Sequence, residues 1–123
     1  MSSGLVTRAM SIGLTKTKRA STRRFIHAQH ASYFSSYKSN RVAIEGFQAA
    51  NSGSVFDYAD ALTGSILLIA GSQDAVAPIS EQKRLNEVLP NSELVVLKKV
   101  GHLSHYERPV EIATAITNFL ETH

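Results

Sequence analysis

Residues 66–78 read Ile66-Leu67-Leu68-Ile69-Ala70-Gly71-Ser72-Gln73-Asp74-Ala75-Val76-Ala77-Pro78. Five apolar residues run without a break until Gly71. Such a run is too short for a buried helix and predicts a strand buried on both faces of a parallel sheet. After the turn, Ser80 is a candidate cap for a helix on which Leu85, Val88 and Leu89 share a face, closed by Pro90-Asn91. Leu94-Val95-Val96-Leu97 predicts a second buried strand. A last helix is expected from Pro109, a favoured first-turn residue, with Glu111 beside it to suit the dipole and Ile112, Ile116, Phe119 and Leu120 as its buried stripe. The order strand, helix, strand, helix implies parallel strands joined by helical crossovers, the α/β class.

Upstream of this unit the periodicity is helical. Residues 1–18 show no clear period and predict no element. From Ala20, the residues Ile26, Tyr33, Phe34 and Tyr37 fall on one helical face opposite Arg23 and Arg24. Asn40 is a candidate cap for a second helix, Arg41 to Ala50, burying Val42, Ile44 and Phe47, with Asn51-Ser52-Gly53 as its stop. Val55, Ala59 and Leu62 mark a short third helix. The chain thus divides into a basic, helical segment, 1–56, and a strand-helix-strand-helix part, 57–123.

With 123 residues, 43% hydrophobic and 19% charged, the chain falls in the soluble globular class. It has no cysteine. That excludes disulfides, thiolate catalysis and a cysteine-based zinc site, and suits a reducing cytoplasm, the expected location. No stretch approaches the roughly 18 apolar residues of a membrane span. The net charge of +3 is unevenly placed: residues 1–44 hold eight Lys or Arg and no acid, residues 45–123 five basic and ten acidic residues. A basic, acid-poor start has the composition of a transit peptide or of a segment resting on nucleic acid or anionic lipid. The simpler expectation is a solvated basic face of surface helices, without nucleic acid as a partner. Thr7, Arg8 and Ser11 interrupt Leu5 to Leu14, against a secretory signal.

In open parallel sheets, reactive groups gather at the carboxyl ends of the strands. The loop after Ala70 presents Asp74, and Lys98-Lys99-Val100-Gly101-His102 presents His102. Adjacent strand ends would bring the two together. A carboxylate beside an imidazole accepts the Nδ1 proton, sets the tautomer and leaves Nε2 to take a proton from a nucleophile. Either residue alone is more simply an Asx-turn or a hydrogen-bonded loop residue.

The stretch 66–78, then Gly101-His102, Glu107-Arg108-Pro109 and a helix ending Asn118-Phe119-Leu120, resembles the penultimate strand, acid turn, histidine loop and terminal helix of the α/β-hydrolases. The resemblance covers about residues 57 to 121. It implies a mostly parallel sheet and a Ser, Asp, His triad in that chain order, with Asp74 as the acid and His102 as the base. Residues 20–56 match the family's helical lid in helicity and position. The family's nucleophile elbow reads Gly-x-Ser-x-Gly, and no two glycines here are four apart. The nucleophile and the oxyanion-hole loop are therefore expected to lie N-terminal to Met1. The chain reads as a fragment, a truncated frame or a protein needing a partner for the missing half, and as inactive alone. The complete protein is expected to hydrolyse a small ester or acyl compound without metal or cofactor. Dehalogenases and epoxide hydrolases, which use an Asp nucleophile, and carbon–carbon bond hydrolases resemble it equally. A non-catalytic interaction module and a truncated remnant are the readings outside catalysis.

Other candidates have simpler roles. Ser65 precedes the strand and so sits at its wrong end for catalysis. Ser104 and His105 lie beyond His102, whose place beside Gly101 right after the strand favours it as the base. His27 and His30, like His102 and His105, are three apart, but no cysteine or acid accompanies the first pair to make a metal site. Glu107 is expected to pair on the surface or support its loop, and Lys98-Lys99 to be a solvated strand end.

Overall fold

The computed structural model describes residues 3–33, 40–50 and 52–123. Two strands, β1 (Ile66–Gly71) and β2 (Ser92–Leu97), pair in parallel, with Ile66 opposite Ser92 and Gly71 opposite Leu97. Helix α4 (Ile79–Val88) is the crossover between them. Side chains alternate across the sheet. Ile66 and Leu68 pack on one side against buried Ala59, Leu85 and Leu89, together with Phe56. Burying a leucine contributes roughly 1.5–3 kcal/mol, so Leu85 and Leu89 are the main anchors of α4.

On the other side, Leu67, Val95 and Leu97 face α6 (Pro109–Thr122) across an open groove of about 680 Å³ that Val110 and Phe119 also line. The expectation of a strand buried on both faces is corrected here. Residues Ile66 to Ile69 are half-buried, Ile66 and Leu68 on the side of α4 as well as Leu67 on the side of α6, so neither face of the two-stranded sheet is fully covered. The predicted stripe of α6 is corrected for the same reason. Ile112 and Phe119 are half-buried, while Ile116 and Leu120 are exposed.

Two further expectations change around α4. Its first residue is Ile79 and Pro78 precedes it without a side-chain cap, so Ser80 lies inside the first turn rather than capping it. Val88 is exposed whereas Leu85 and Leu89, one turn apart, share the buried face. The short third helix is a 3-10 helix, Val55–Ala61. Ser54 accepts from the Phe56 amide, and Asp57 accepts from the Ser54 amide at 3.0 Å, reciprocal capping that fixes where it starts. Of its three expected apolar contacts, Ala59 is buried and Val55 and Leu62 are exposed.

Residues without an apolar period nonetheless form α1 (Ser3–Leu14), which packs on α2 (Ala20–Tyr33). Among the described side chains of this helix pair and its linker, the buried ones are largely polar: Ser11, Thr15 and His30, beside Ile26. Leu5, Met10 and Ile12 are exposed instead. Arg23 and Arg24 are exposed as expected, while Phe34, Tyr37 and the side chain of Tyr33 lie outside the described residues. Helix α3 (Asn40–Ala50) occupies the expected span, but Val42 and Ile44 are exposed rather than buried. The side chain of Phe47, that of Asn40 and all of Asn51 are outside the described residues.

Candidate active site

Both loops at the carboxyl ends of the strands are held by backbone contacts. The Ser72 amide donates to Leu97 O and the Gln73 amide to Val100 O, and the Lys99 amide donates to Ser72 Oγ. A Cβ on Gly71 would lie 2.4 Å from the carbonyl oxygens of Val100 and Gly101, and one on Gly101 would lie 2.6 Å from Lys16 Cγ. Glycine at both positions is what lets the two loops and the α1–α2 linker stack this closely.

In this frame Asp74 and His102, 28 residues apart in sequence, meet at 2.9 Å between Oδ2 and Nδ1. Asp74 Oδ1 accepts from the amides of Val76 at 2.8 Å and Ala77 at 2.9 Å. Both carboxylate oxygens are thereby engaged, which restricts the rotation of the group. The Asp74 side chain is 9% exposed and that of His102 41%. Burial is the largest single influence on Asp74 and pushes its carboxyl up. The Ala77 amide, the His102 hydrogen bond, the Val76 amide and the charge of His102 together outweigh it and hold the carboxyl below its ordinary value. An ionised carboxylate only accepts hydrogen bonds, so in this contact Nδ1 of His102 is the donor.

The remaining candidates fall elsewhere. His105 does not reach Asp74 and lies tilted against the Tyr106 ring, centroids 4.4 Å apart. Ser104 opens the one-turn helix α5 (Ser104–Glu107), and Ser65 accepts from Asn91 Nδ2 at the opposite end of β1. His27 and His30 come together on Ser11, whose Oγ lies 2.7 Å and 2.6 Å from their Nδ1 atoms. Burial first, then the charges of His27 and His105, lowers the pKa of His30. No group of three metal-ligating side chains occurs among the described residues. Glu107 is buried, not on the surface, and supports the linker: its Oε1 accepts from the Lys16 amide at 2.7 Å. Lys99 sits at φ 59°, in the left-handed region. Sequence reasoning missed Ser11, because a lone serine among apolar residues carries no signal of its partners. It also missed the spacing role of Gly71 and Gly101. Their position at the ends of the strand and of the histidine loop was the available hint.

Among the described residues, no helix is long and apolar enough to cross a membrane. The family of TAP-like proteins matches residues 31–123. The chain is 44% identical to the uncharacterized hydrolase YugF of Bacillus subtilis (strain 168) over 55 residues, which are 45% of this chain and 20% of that protein. It is 38% identical to the putative carbamate hydrolase RutD of Pseudomonas syringae pv. syringae (strain B728a) over 56 residues, 46% of this chain and 22% of that one. Among solved structures, it is similar to a thermophilic esterase from Thermogutta terrifontis, with a TM-score of 0.81 at 23% identity over 98% of this chain and 44% of the esterase. Est816, described as an N-acyl homoserine lactone degrading enzyme, superposes with a TM-score of 0.72 at 23% identity over 94% of this chain and 47% of its own. The match spans about a fifth of the curated relatives and under half of these solved structures. At such identities the structural likeness is one of fold.

Proposed function

The chain belongs to the TAP-like family of α/β-hydrolases, and from that premise we propose that Asp74 and His102 are the orienting acid and general base of an acyl hydrolase. The observation that carries this reading is the 2.9 Å contact between Nδ1 and Oδ2, with Oδ1 already engaged by two amides. A carboxylate so held aligns the imidazole and stabilises the imidazolium when Nε2 takes a proton. The proposed nucleophile is a serine outside these 123 residues. Its Oγ–H would pass its proton to Nε2 of His102 as Oγ adds to the acyl carbon, and His102 would return that proton to the leaving group. Water, deprotonated by the same nitrogen, would then release the acid.

Absence of a Gly-x-Ser-x-Gly elbow supports the view that this chain supplies only part of the machinery. The open groove lined by Leu67, Val95, Leu97, Val110 and Phe119 supports its corollary, that further protein completes the sheet. Carbamate and lactone as substrates of similar proteins favour a small acyl compound. Helices α1 to α3 are proposed as the lid over that site, and a cytoplasmic setting accords with the lack of cysteine.

A chromogenic ester tests the proposal. The purified 123-residue chain should show no turnover above buffer; turnover abolished by His102→Ala would place a nucleophile within the chain and overturn the assignment of an external one. Nitrogen NMR of His102 tests the pair itself, which requires the proton on Nδ1 at neutral pH; a proton on Nε2 alone would refute it.

A further inference from the structure

We propose that the cleft between the α1–α2 linker and the loop after β2 binds a phosphate-monoester group. It encloses about 340 Å³ and is lined by Lys16 and Lys18 from the linker, Lys99 after β2 and Arg108 between α5 and α6. Four cations thus converge from three segments, the linker being more than eighty residues from the other two. Glu107 is the one carboxylate that lines the cleft.

Three of these four charges, Lys16, Lys18 and Lys99, have no ion-pair partner within 4 Å among the described residues. Arg108 reaches Glu111 at 3.3 Å in an exposed pair, which leaves its guanidinium available to a better acceptor. Glu107 is committed to the linker: Oε1 holds the Lys16 amide, and Oε2 is buried with no hydrogen-bond partner among the described residues. Its structural effect is to keep the segment that carries Lys16 and Lys18 against the histidine loop. Lys99 adopts φ 59°, a conformation that glycine accepts without cost, and so a charged side chain is held at the cleft in backbone that disfavours it.

Clustered like charges repel, and the field they focus in a concave site attracts a compact anion. Ammonium groups act as point charges with several donors and Arg108 offers a fork, so the set suits the three oxygens and near-double charge of a phosphate monoester better than a single carboxylate. A nucleic acid strand is a poorer fit, because it needs phosphate contacts spread along an extended surface rather than a small concavity. The group could come from a soluble metabolite or from the head of a phosphomonoester lipid. This inference is independent of the acyl-hydrolase reading.

Calorimetry on the full chain would use inorganic phosphate, glycerol 3-phosphate, and phosphatidylcholine vesicles with and without phosphatidic acid. One saturable site is expected for phosphate, weaker at higher salt, and about tenfold weaker in Lys18→Gln and in Lys99→Gly. Lys18→Arg should retain it. Lys99→Gly relieves the left-handed backbone, so loss of binding there does not reflect unfolding. Glycerol 3-phosphate binding as tightly as phosphate would identify a soluble source; binding confined to phosphatidic acid vesicles and lost in Lys18→Gln would identify the lipid. Phosphate binding no tighter than acetate at equal ionic strength, with no phosphatidic acid binding, would overturn the proposal, as would binding unchanged in both charge-removing variants.

Discussion

A Cβ added to Gly71 would lie 2.4 Å from the carbonyl oxygen of Gly101, which brings the end of β1 and the start of the histidine loop into backbone contact. The second glycine is pressed in turn, since its own Cβ would meet Leu14 O at 2.8 Å. Three segments are therefore stacked: the end of β1, the histidine loop, and the end of α1. The separation of Asp74 and His102 depends on that stack, because each follows one of the two glycines by one to three residues.

Gly71→Ala should destabilise the fold by about 1–3 kcal/mol or more, since its nearest neighbours are backbone oxygens that cannot rotate away. Gly64→Ala, with nothing within 4 Å of the added carbon, should change stability by less than about 0.5 kcal/mol. Urea denaturation of the two variants makes the comparison. Equal midpoints would mean that the loops separate freely and that the contact is not structural.

Asp74→Asn should lower stability at neutral pH and flatten the acid limb of the stability profile. Burial alone would raise the Asp74 carboxyl, but the Ala77, His102 and Val76 hydrogen bonds and the His102 charge leave it lowered. Folding then favours the ionised form. The stability this contributes is present above the unfolded carboxyl value of about 3.9 and is lost as pH falls through the folded value. Parallel acid titrations of parent and variant, followed by circular dichroism, would show the parent losing more stability below about pH 4; superimposable acid limbs would rule the effect out.

Ser11→Ala should cost about 1–3 kcal/mol, because it leaves two imidazole nitrogens of the α1–α2 pair without their shared hydroxyl. The same cluster is acid-sensitive. Burial, then His27 and His105, lowers the pKa of His30, so its contribution is complete above the ordinary histidine value of about 6.5 and is lost as pH falls through the folded value. Hydrogen exchange should show α2 losing protection between about pH 7 and 5 while β1 and β2 keep theirs. Equal protection of α2 at both ends of that range would contradict this assignment.

The fold was legible where information is local. Ile66-Leu67-Leu68-Ile69-Ala70 and Leu94-Val95-Val96-Leu97 announce strands by composition and length, and the observed elements lie within two residues of those runs. Asp74 and His102 were legible as a pair by their places after those strands. Capping was not: Ser54 with Asp57 outranks other starts because both reciprocal bonds form, whereas Ser80 makes none. Nor was α1, whose buried Ser11, like Thr15 just after it, carries no hydrophobic period.

By itself, then, the sequence determined the order of the strands and main helices from Ala20 onward, the α/β class and the two polar residues at the strand ends, since apolar runs and turn residues act through neighbouring positions. Tertiary structure alone decided how deeply β1 and α6 are buried, which polar side chains enter the interior of the α1–α2 pair, and how near the two loops approach. Those outcomes depend on what covers each face and on contacts between distant residues. The 2.9 Å meeting of Asp74 and His102 rests on both: a pattern that placed each residue at a strand end, and a glycine stack that no local pattern encodes.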